Sequence, residues 1–236
     1  METIEKKENQ ITFKTAMEDS LVNAIRRYVH QIPITAIDEV EITKNDSPSY
    51  DETIAHRLGL IPLKSEKSDK VQKLKLSATK EGMVYSGDLK GGEVVYKNMP
   101  ITFLNKEQEI EIVAETKQGR GAEHSKFVPG LMFYRNIVEI TTDKDMKEKV
   151  KKLFPNNAVK EKGNKITILD DGKKEVADAL EAACEREGKE TQAEIKEELV
   201  VTIESFGQIP VKEIFTRSIS ELGKDLNEIA KKVSKE

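Results

Sequence analysis

The feature that most constrains the fold is a change of hydrophobic period at Pro33. Before Pro33, apolar residues recur every three or four positions, which places them on one helical face: Leu21, Ala24, Ile25, Tyr28 and Ile32. Pro33 ends this predicted helix, because the residue before a proline is disfavoured in the helical conformation. From Ile34 to Ile42 the period is two, which predicts a strand. The chain must therefore combine helices and sheets.

The predicted strand Ile34–Ile42 has one mostly apolar face and one acidic face. The first face holds Ile34, Ala36, Asp38, Val40 and Ile42, and the second holds Thr35, Ile37, Glu39 and Glu41. A polar turn follows at residues 45–48, and a second helix is predicted from about Tyr50. Its inward residues are Ile54, Ala55 and Leu58. Gly59 is expected to close this helix in the left-handed conformation.

Short apolar runs separated by glycine and proline predict a β-rich region between about residues 44 and 142. The strands predicted there are Met83–Tyr85, Val94–Tyr96, Ile101–Leu104, Ile110–Ala114 and Leu131–Ile140. One further strand is predicted near the N-terminus, over Ile4–Phe13.

Residues 143–196 have a different pattern. A short helix is predicted over Asp145–Leu153, a strand over Ile166–Leu169 and an Ala- and Glu-rich helix over Glu175–Arg186. Together with the strand before them, these elements are compatible with a small ferredoxin-like α/β unit. Another strand, Leu199–Phe206, leads into the last helix.

The last helix carries a narrow apolar stripe at steps of three and four residues: Phe215, Ile219, Leu222, Leu226, Ile229 and Val233. Such a stripe must be buried against something. From the residues alone, packing on its own domain and packing on a partner helix both stay open.

Five segments carry a resemblance to a known family. They are NAIRR at residues 23–27, AIDEVEI at 36–42, NDSPSYDETIAHRLGLIPL at 45–63, GAEHSKFVP at 121–129 and IES at 203–205. In this order and spacing they resemble the family of D subunits of archaeal DNA-directed RNA polymerase, the counterparts of the N-terminal part of the bacterial alpha subunit. The resemblance covers most of the chain and is thin between about residues 143 and 196.

The resemblance implies an α+β fold with an RNA polymerase alpha-like dimerisation domain that is discontinuous, over residues 1–43 and 197–236. A β-rich insert domain would occupy residues 44–142, and a small ferredoxin-like insert residues 143–196. It implies a non-catalytic assembly subunit of DNA-directed RNA polymerase. This subunit would pair with the smaller alpha-like subunit L, bind the small subunits N and P, and dock the second-largest catalytic subunit.

The resemblance also implies which residues meet partners. The dimerisation contact would use the first and last helices, through Leu21, Ile25, Tyr28, Phe215, Ile219, Leu222, Leu226 and Ile229. The contact with the large subunit would use Arg26, Arg27, His56 and Arg57. Some members of the family hold an iron–sulfur cluster through several cysteines. Cys184 is the only cysteine here, so we expect no cluster and no other cofactor.

Two other hypotheses differ in class. Glu52 and His56 lie four residues apart on a predicted helix, and with His124 they would serve a stand-alone metal- or nucleotide-dependent enzyme. The ordinary interpretation is a surface hydrogen bond, and Gly119-Arg120-Gly121 is only a weak match to a phosphate loop, better explained as a tight turn. We therefore predict no catalytic, cofactor-binding or metal-binding residues. The third hypothesis is a homodimeric interaction module.

Composition excludes some classes of function. The 39 basic and 43 acidic residues give a net charge of −4, without a dense basic run, so direct sequence-specific contact with nucleic acid is not expected. Apolar runs are too short to cross a membrane, and the N-terminus is polar. We expect a cytoplasmic protein.

Overall fold

The computed structural model of the chain describes residues 1–65, 71–155, 157–172 and 176–234. Its elements, in chain order, are β1 (Glu2–Lys6), β2 (Gln10–Thr15), α1 (Asp19–Tyr28), β3 (Ile34–Asn45), α2 (Asp51–Gly59), β4 (Lys73–Ala78), β5 (Gly82–Tyr85), β6 (Pro100–Leu104), β7 (Ile110–Gly119), β8 (Gly130–Asp143), α3 (Lys147–Leu153), β9 (Val159–Lys162), β10 (Lys165–Asp170), α4 (Ala177–Glu185), β11 (Gln192–Ser205) and α5 (Val211–Val233). The α+β class predicted from the sequence is confirmed.

The chain folds as two compact units. One comprises Met1–Ala24 and Met132–Ile203, and the other comprises Ile25–Leu131 and Glu204–Glu236. The domain limits implied by the resemblance, with boundaries near residues 43, 142 and 196, stay a prediction.

In the first unit, the described residues form a sheet with the strand order β1-β2-β11-β8-β10-β9. The segment from β8 to β11 has the element order βαββαβ, and its last four strands in the sheet follow the ferredoxin-like order 4-1-3-2. Its core is aliphatic and includes Val150, Ile168, Leu180 and the buried Cys184. The sequence missed β9, because its Val-Lys-Glu-Lys sequence is an exposed charged edge without an apolar face. Residue Glu175 of the predicted helix lies outside the described residues.

In the second unit, β3, β7 and β4 form an antiparallel sheet over an aliphatic core. The register of β3 on β7 shifts between Ile37 and Glu39, so Asp38 is an extra residue in a β-bulge. The bulge reverses the alternation of faces. Ile37, predicted on the acidic face, is therefore buried at 1% exposure, in the cluster against which Val40 and Ile42 also pack.

Three local predictions were wrong. Residues 4–13 form two strands, β1 and β2, because the chain turns at residues 7–9 and Lys7 N–H donates to the carbonyl of Gln10 at 2.8 Å. Val94 forms only an isolated bridge with Leu63. Gly59 does not have a positive φ, and the residue that follows α2, Leu60, keeps a right-handed conformation.

Candidate protein-interaction site

The C-terminal helix α5 turns a partly polar face towards its own unit. Its buried residues are Val211, Ile214, Ser218 and Glu221. The inward face is thus apolar in the first turns and polar after them. The Glu221 carboxylate lies 2.6 Å from the ammonium of Lys224 and 3.5 Å from the guanidinium of Arg120, so this buried charge is paired.

The apolar residues of α5 lie on the face next to this inward face, about a quarter turn round the helix, so Phe215 and Leu222 are partly buried and the later members are exposed. We call Phe215, Ile219, Leu222, Leu226, Ile229 and Val233 the α5 stripe. Exposure rises along it, from 42% at Ile219 to 57% at Leu226, 58% at Ile229 and 68% at Val233. A helix that serves only its own fold shows the reverse arrangement, with apolar residues inside and polar residues outside. A contiguous exposed apolar surface of this kind marks an interaction site.

A hydrogen bond from the end of α1 fixes the rotation of α5. The phenol of Tyr28 donates to Oδ2 of Asp225 at 2.9 Å, and the 3-10 turn Val29–Gln31 packs on the same helix. The pKa of Tyr28 is raised, first by this hydrogen bond and then by burial and the charge of Asp225. Together with Glu221, these contacts hold the polar side of α5 inward and leave the α5 stripe outward.

Leu21 and Ile25, the two aliphatic residues of α1 that the resemblance assigned to the dimerisation contact, differ in their exposure. Leu21 is 45% exposed, whereas Ile25 is 2% exposed. Ile25 packs within this chain and has almost no surface to offer a partner. The periodicity placed both on one face, but it gives no measure of how deeply each position is covered.

The residues assigned to a large-subunit contact have different surroundings. Arg26 is half-buried, and Arg27, His56 and Arg57 are exposed. The Arg57 guanidinium donates to the carbonyl oxygen of Ile101 at 2.7 Å and so ties α2 to β6. The contact of these residues with a large subunit stays a prediction.

Sequence reasoning missed an ion pair at the bulge of β3. Lys126 Nζ donates to Asp38 Oδ1 at 2.6 Å and to the Ile37 carbonyl at 3.0 Å. His124 Nδ1 accepts the backbone N–H of Lys126 at 3.1 Å, which holds the turn that carries the lysine. The Ile37 carbonyl that accepts from Lys126 lies at the bulge, and the hydrophobic period of the sequence does not predict a bulge.

This ion pair lowers the pKa of Asp38 below its usual range, first through the hydrogen bond from Lys126. The stabilisation is therefore present above the usual aspartate pKa and is lost as pH falls through the folded-state value. We expect Lys126→Met to raise the pKa of Asp38, as followed by the carboxyl carbon shift in an NMR titration. Lys117→Met is the control, since its ammonium lies 4.0 Å from Asp38 and is 57% exposed, so its effect should be smaller. An unchanged Asp38 pKa in Lys126→Met would refute the pairing.

Among the described residues, the side chains named for the enzyme hypothesis do not come together in one catalytic or metal site. His56 and His124 line one cleft of about 220 Å³ beside Asp38, but Asp38 is committed to Lys126. Across residues 1–65, 71–155, 157–172 and 176–234, no group of three or more His, Cys, Asp or Glu side chains is placed to bind a metal. Glu52 is exposed on α2 and does not line this cleft.

Gly119 and Gly121 serve close packing. A Cβ at Gly119 would lie 2.5 Å from the Phe127 ring, and one at Gly121 would lie 2.7 Å from the Val128 side chain. Neither glycine has a positive φ, and Gly121 lies in a turn. Side-chain packing therefore accounts for the motif without a phosphate.

In the part of the chain that the structure describes, none of the helices is both long enough and apolar enough to span a bilayer.

Comparison with known proteins first gives the class. The family model of the RNA polymerase Rpb3/RpoA insert domain matches residues 40–129, a region that holds β4, β7 and the second half of β3. The class is therefore that of the alpha-like subunits of RNA polymerase.

Full-length relatives give the family. The DNA-directed RNA polymerase subunit Rpo3 of Pyrococcus horikoshii is 35% identical over 230 residues, covering 89% of this chain and 88% of the relative. The Rpo3 subunits of Pyrococcus furiosus and Thermococcus kodakarensis are 34% and 35% identical, and the alignments cover 91% and 89% of this chain and 89% and 88% of those proteins. The chain belongs to the Rpo3 family, the archaeal D subunits of DNA-directed RNA polymerase. The resemblance drawn from the five motifs is thereby confirmed.

Proposed function

We propose that this chain is a non-catalytic assembly subunit of DNA-directed RNA polymerase, which pairs through α5 with the smaller alpha-like subunit L. The pair then binds the small subunits N and P and docks the second-largest catalytic subunit. Nucleotidyl transfer belongs to the large subunits. A polymerase subunit of this kind works in the cytoplasm.

The observation that supports this proposal is the exposed apolar stripe in the C-terminal half of α5, beside an inward face that is polar there. Ser218, Glu221 and Asp225 are turned towards the chain itself, while Leu226 and Ile229 are exposed by more than half. Fully burying a leucine or isoleucine side chain contributes about 1.5–3 kcal/mol. Several such side chains along one stripe provide enough apolar surface for a stable helix–helix contact.

The α5 stripe, together with Tyr28 beside it, is the core of the proposed pairing surface. Leu21 of α1 is kept in the proposed dimerisation contact because its side chain is exposed, and Ile25 is left out because it is buried. The proposed large-subunit contact keeps Arg27 and His56, whose side chains are exposed, with Arg26 and Arg57 beside them. Arginine suits such a contact because its planar guanidinium pairs with carboxylates in two-point geometry.

No iron–sulfur cluster is part of the proposal. Cys184 is the single cysteine of the chain, and its thiol is buried in the core of the ferredoxin-like segment, 3.5 Å from the Thr142 hydroxyl. A cluster is held by several cysteine thiolates, and one buried thiol cannot supply them.

Co-expression with an L-like subunit tests the proposal. We expect the two chains to co-purify and to give one species whose mass, from light scattering during gel filtration, equals one copy of each. The matched control is the same chain expressed without the partner. A stable monomer that does not bind the partner, or a homodimer that persists in the partner's presence, would overturn the proposal.

A further inference from the structure

Gly223 lies within the 23-residue helix α5, where glycine is unfavourable. Glycine ranks just above proline in helix propensity, because it loses the most backbone freedom when it becomes helical. Inside a long helix a glycine therefore calls for a local reason, either an unusual backbone conformation or a close neighbour.

The fold of this chain provides neither reason. Gly223 does not have a positive φ, and a Cβ built on it would meet no atom of the described residues within 4 Å. Gly119 and Gly130 are different, since a Cβ there would lie 2.5 Å from the Phe127 ring and 2.0 Å from the Glu204 carbonyl oxygen. Alanine would fit at position 223 in the isolated chain and would favour the helix.

Gly223 lies at the edge of the α5 stripe, and its neighbours there suggest what its missing side chain leaves room for. Ile219, Leu222, Gly223 and Leu226 stand at positions i, i+3, i+4 and i+7 of the helix. Four residues at this spacing form the hole that receives one side chain of a facing helix in knobs-into-holes packing. Ile219 and Leu226 are 42% and 57% exposed, so the hole opens outward.

We propose that Gly223 is the specificity-determining residue of this surface, and that its missing side chain deepens the hole to admit a bulky apolar knob, leucine or aromatic, from a helix of the alpha-like partner. The inference rests on the pairing proposed above and continues the same surface. A methyl group at position 223 fills the floor of the hole and pushes the facing helix away. Interfaces are packed as densely as protein interiors, so one added methyl group is enough to disturb the contact.

Gly223→Ala tests this inference, because it separates stability from pairing. We expect the isolated Gly223→Ala chain to gain helicity and to unfold at a higher urea concentration, while its dissociation constant for the purified alpha-like partner rises at least tenfold. Gly223→Leu should reduce co-purification below detection. The control is Asn227→Ala, which also favours the helix but changes an exposed residue off the stripe. It should pair as tightly as the wild type.

The outcomes separate this inference from the pairing proposal. If Gly223→Ala binds the partner as tightly as the wild type while charged substitutions on the stripe abolish pairing, the hole at Gly223 is refuted and the pairing surface stands. If Gly223→Ala lowers the stability of the isolated chain, the open space around Gly223 is wrong and the inference falls with it. If the stripe variants pair normally, the proposed pairing itself fails.

Discussion

Replacing both Leu222 and Leu226 by aspartate is expected to abolish pairing with the alpha-like partner. Each leucine contributes about 1.5–3 kcal/mol when fully buried, and 1.4 kcal/mol is a factor of ten in affinity. Leu222 is partly buried and Leu226 is 57% exposed in the isolated chain, so about half of this value is gained on pairing, and loss of the two side chains alone weakens binding by about 10- to 10²-fold. Two carboxylates forced into an apolar contact add the cost of removing them from water. The measurement is co-purification after co-expression, followed by a binding titration.

The control for this prediction adds the same charge without touching the stripe. Ser220 and Asn227 are exposed on α5 outside the stripe, seven residues apart, so Ser220→Asp with Asn227→Asp supplies two aspartates on another side of the helix. This double variant should pair normally. Circular dichroism must show both double variants folded. A folded Leu222→Asp/Leu226→Asp chain that still pairs would remove α5 from the interface.

The second large effect is expected in the ferredoxin-like segment, at Arg135. The Asp170 side chain is fully buried, with 0% exposed, and its Oδ1 accepts from Arg135 Nη2 at 2.8 Å. Arg135 also donates to the carbonyls of Asp170, at 3.1 Å, and Gly172, at 2.9 Å. Oδ2 accepts the backbone N–H groups of Val176 and Ala177 at the start of α4, both at 3.0 Å. One buried carboxylate thus joins β8, β10 and α4.

Arg135→Met removes the cation and leaves this carboxylate buried. Breaking a buried pair from one side costs about 3–5 kcal/mol. We expect the urea midpoint of the first unit to fall accordingly. Lys196→Met is the matched control: its ammonium lies 2.7 Å from Glu139, but both side chains are about one third exposed, and such pairs contribute about 0–1 kcal/mol. Equal losses in the two variants would contradict the role assigned to Asp170.

The sequence predicted the strongly periodic elements well. Ile54 and Leu58 are buried on α2 as their spacing indicated, and the three- and four-residue steps of the last helix correspond to one face of α5. Periodicity could not decide whether that face is covered. The orientation of α5 depends instead on Glu221 and Asp225, which contact Arg120 and Tyr28. These contacts join residues more than 100 positions apart in sequence.

The remaining misses have local physical causes. The bulge at Asp38 comes from the register between β3 and β7, and one extra residue moves Ile37 to the other face. The turn at residues 7–9 lacks glycine and proline, and Asn9, its one turn-favouring residue, is a weak signal among charged neighbours that β1 and β2 are separate strands. Ile25 is buried although it shares a helical face with the exposed Leu21, because a shared helical face does not imply equal exposure.

The central claim is that the outward face of α5 is covered by a partner subunit. Hydrogen–deuterium exchange of the chain, alone and with the purified alpha-like partner, tests it most directly. We expect amides of residues 219–233 to exchange markedly more slowly in the pair, while those of α3 and α4 keep their rates. A stable pair in which exchange across residues 219–233 is unchanged would contradict the claim.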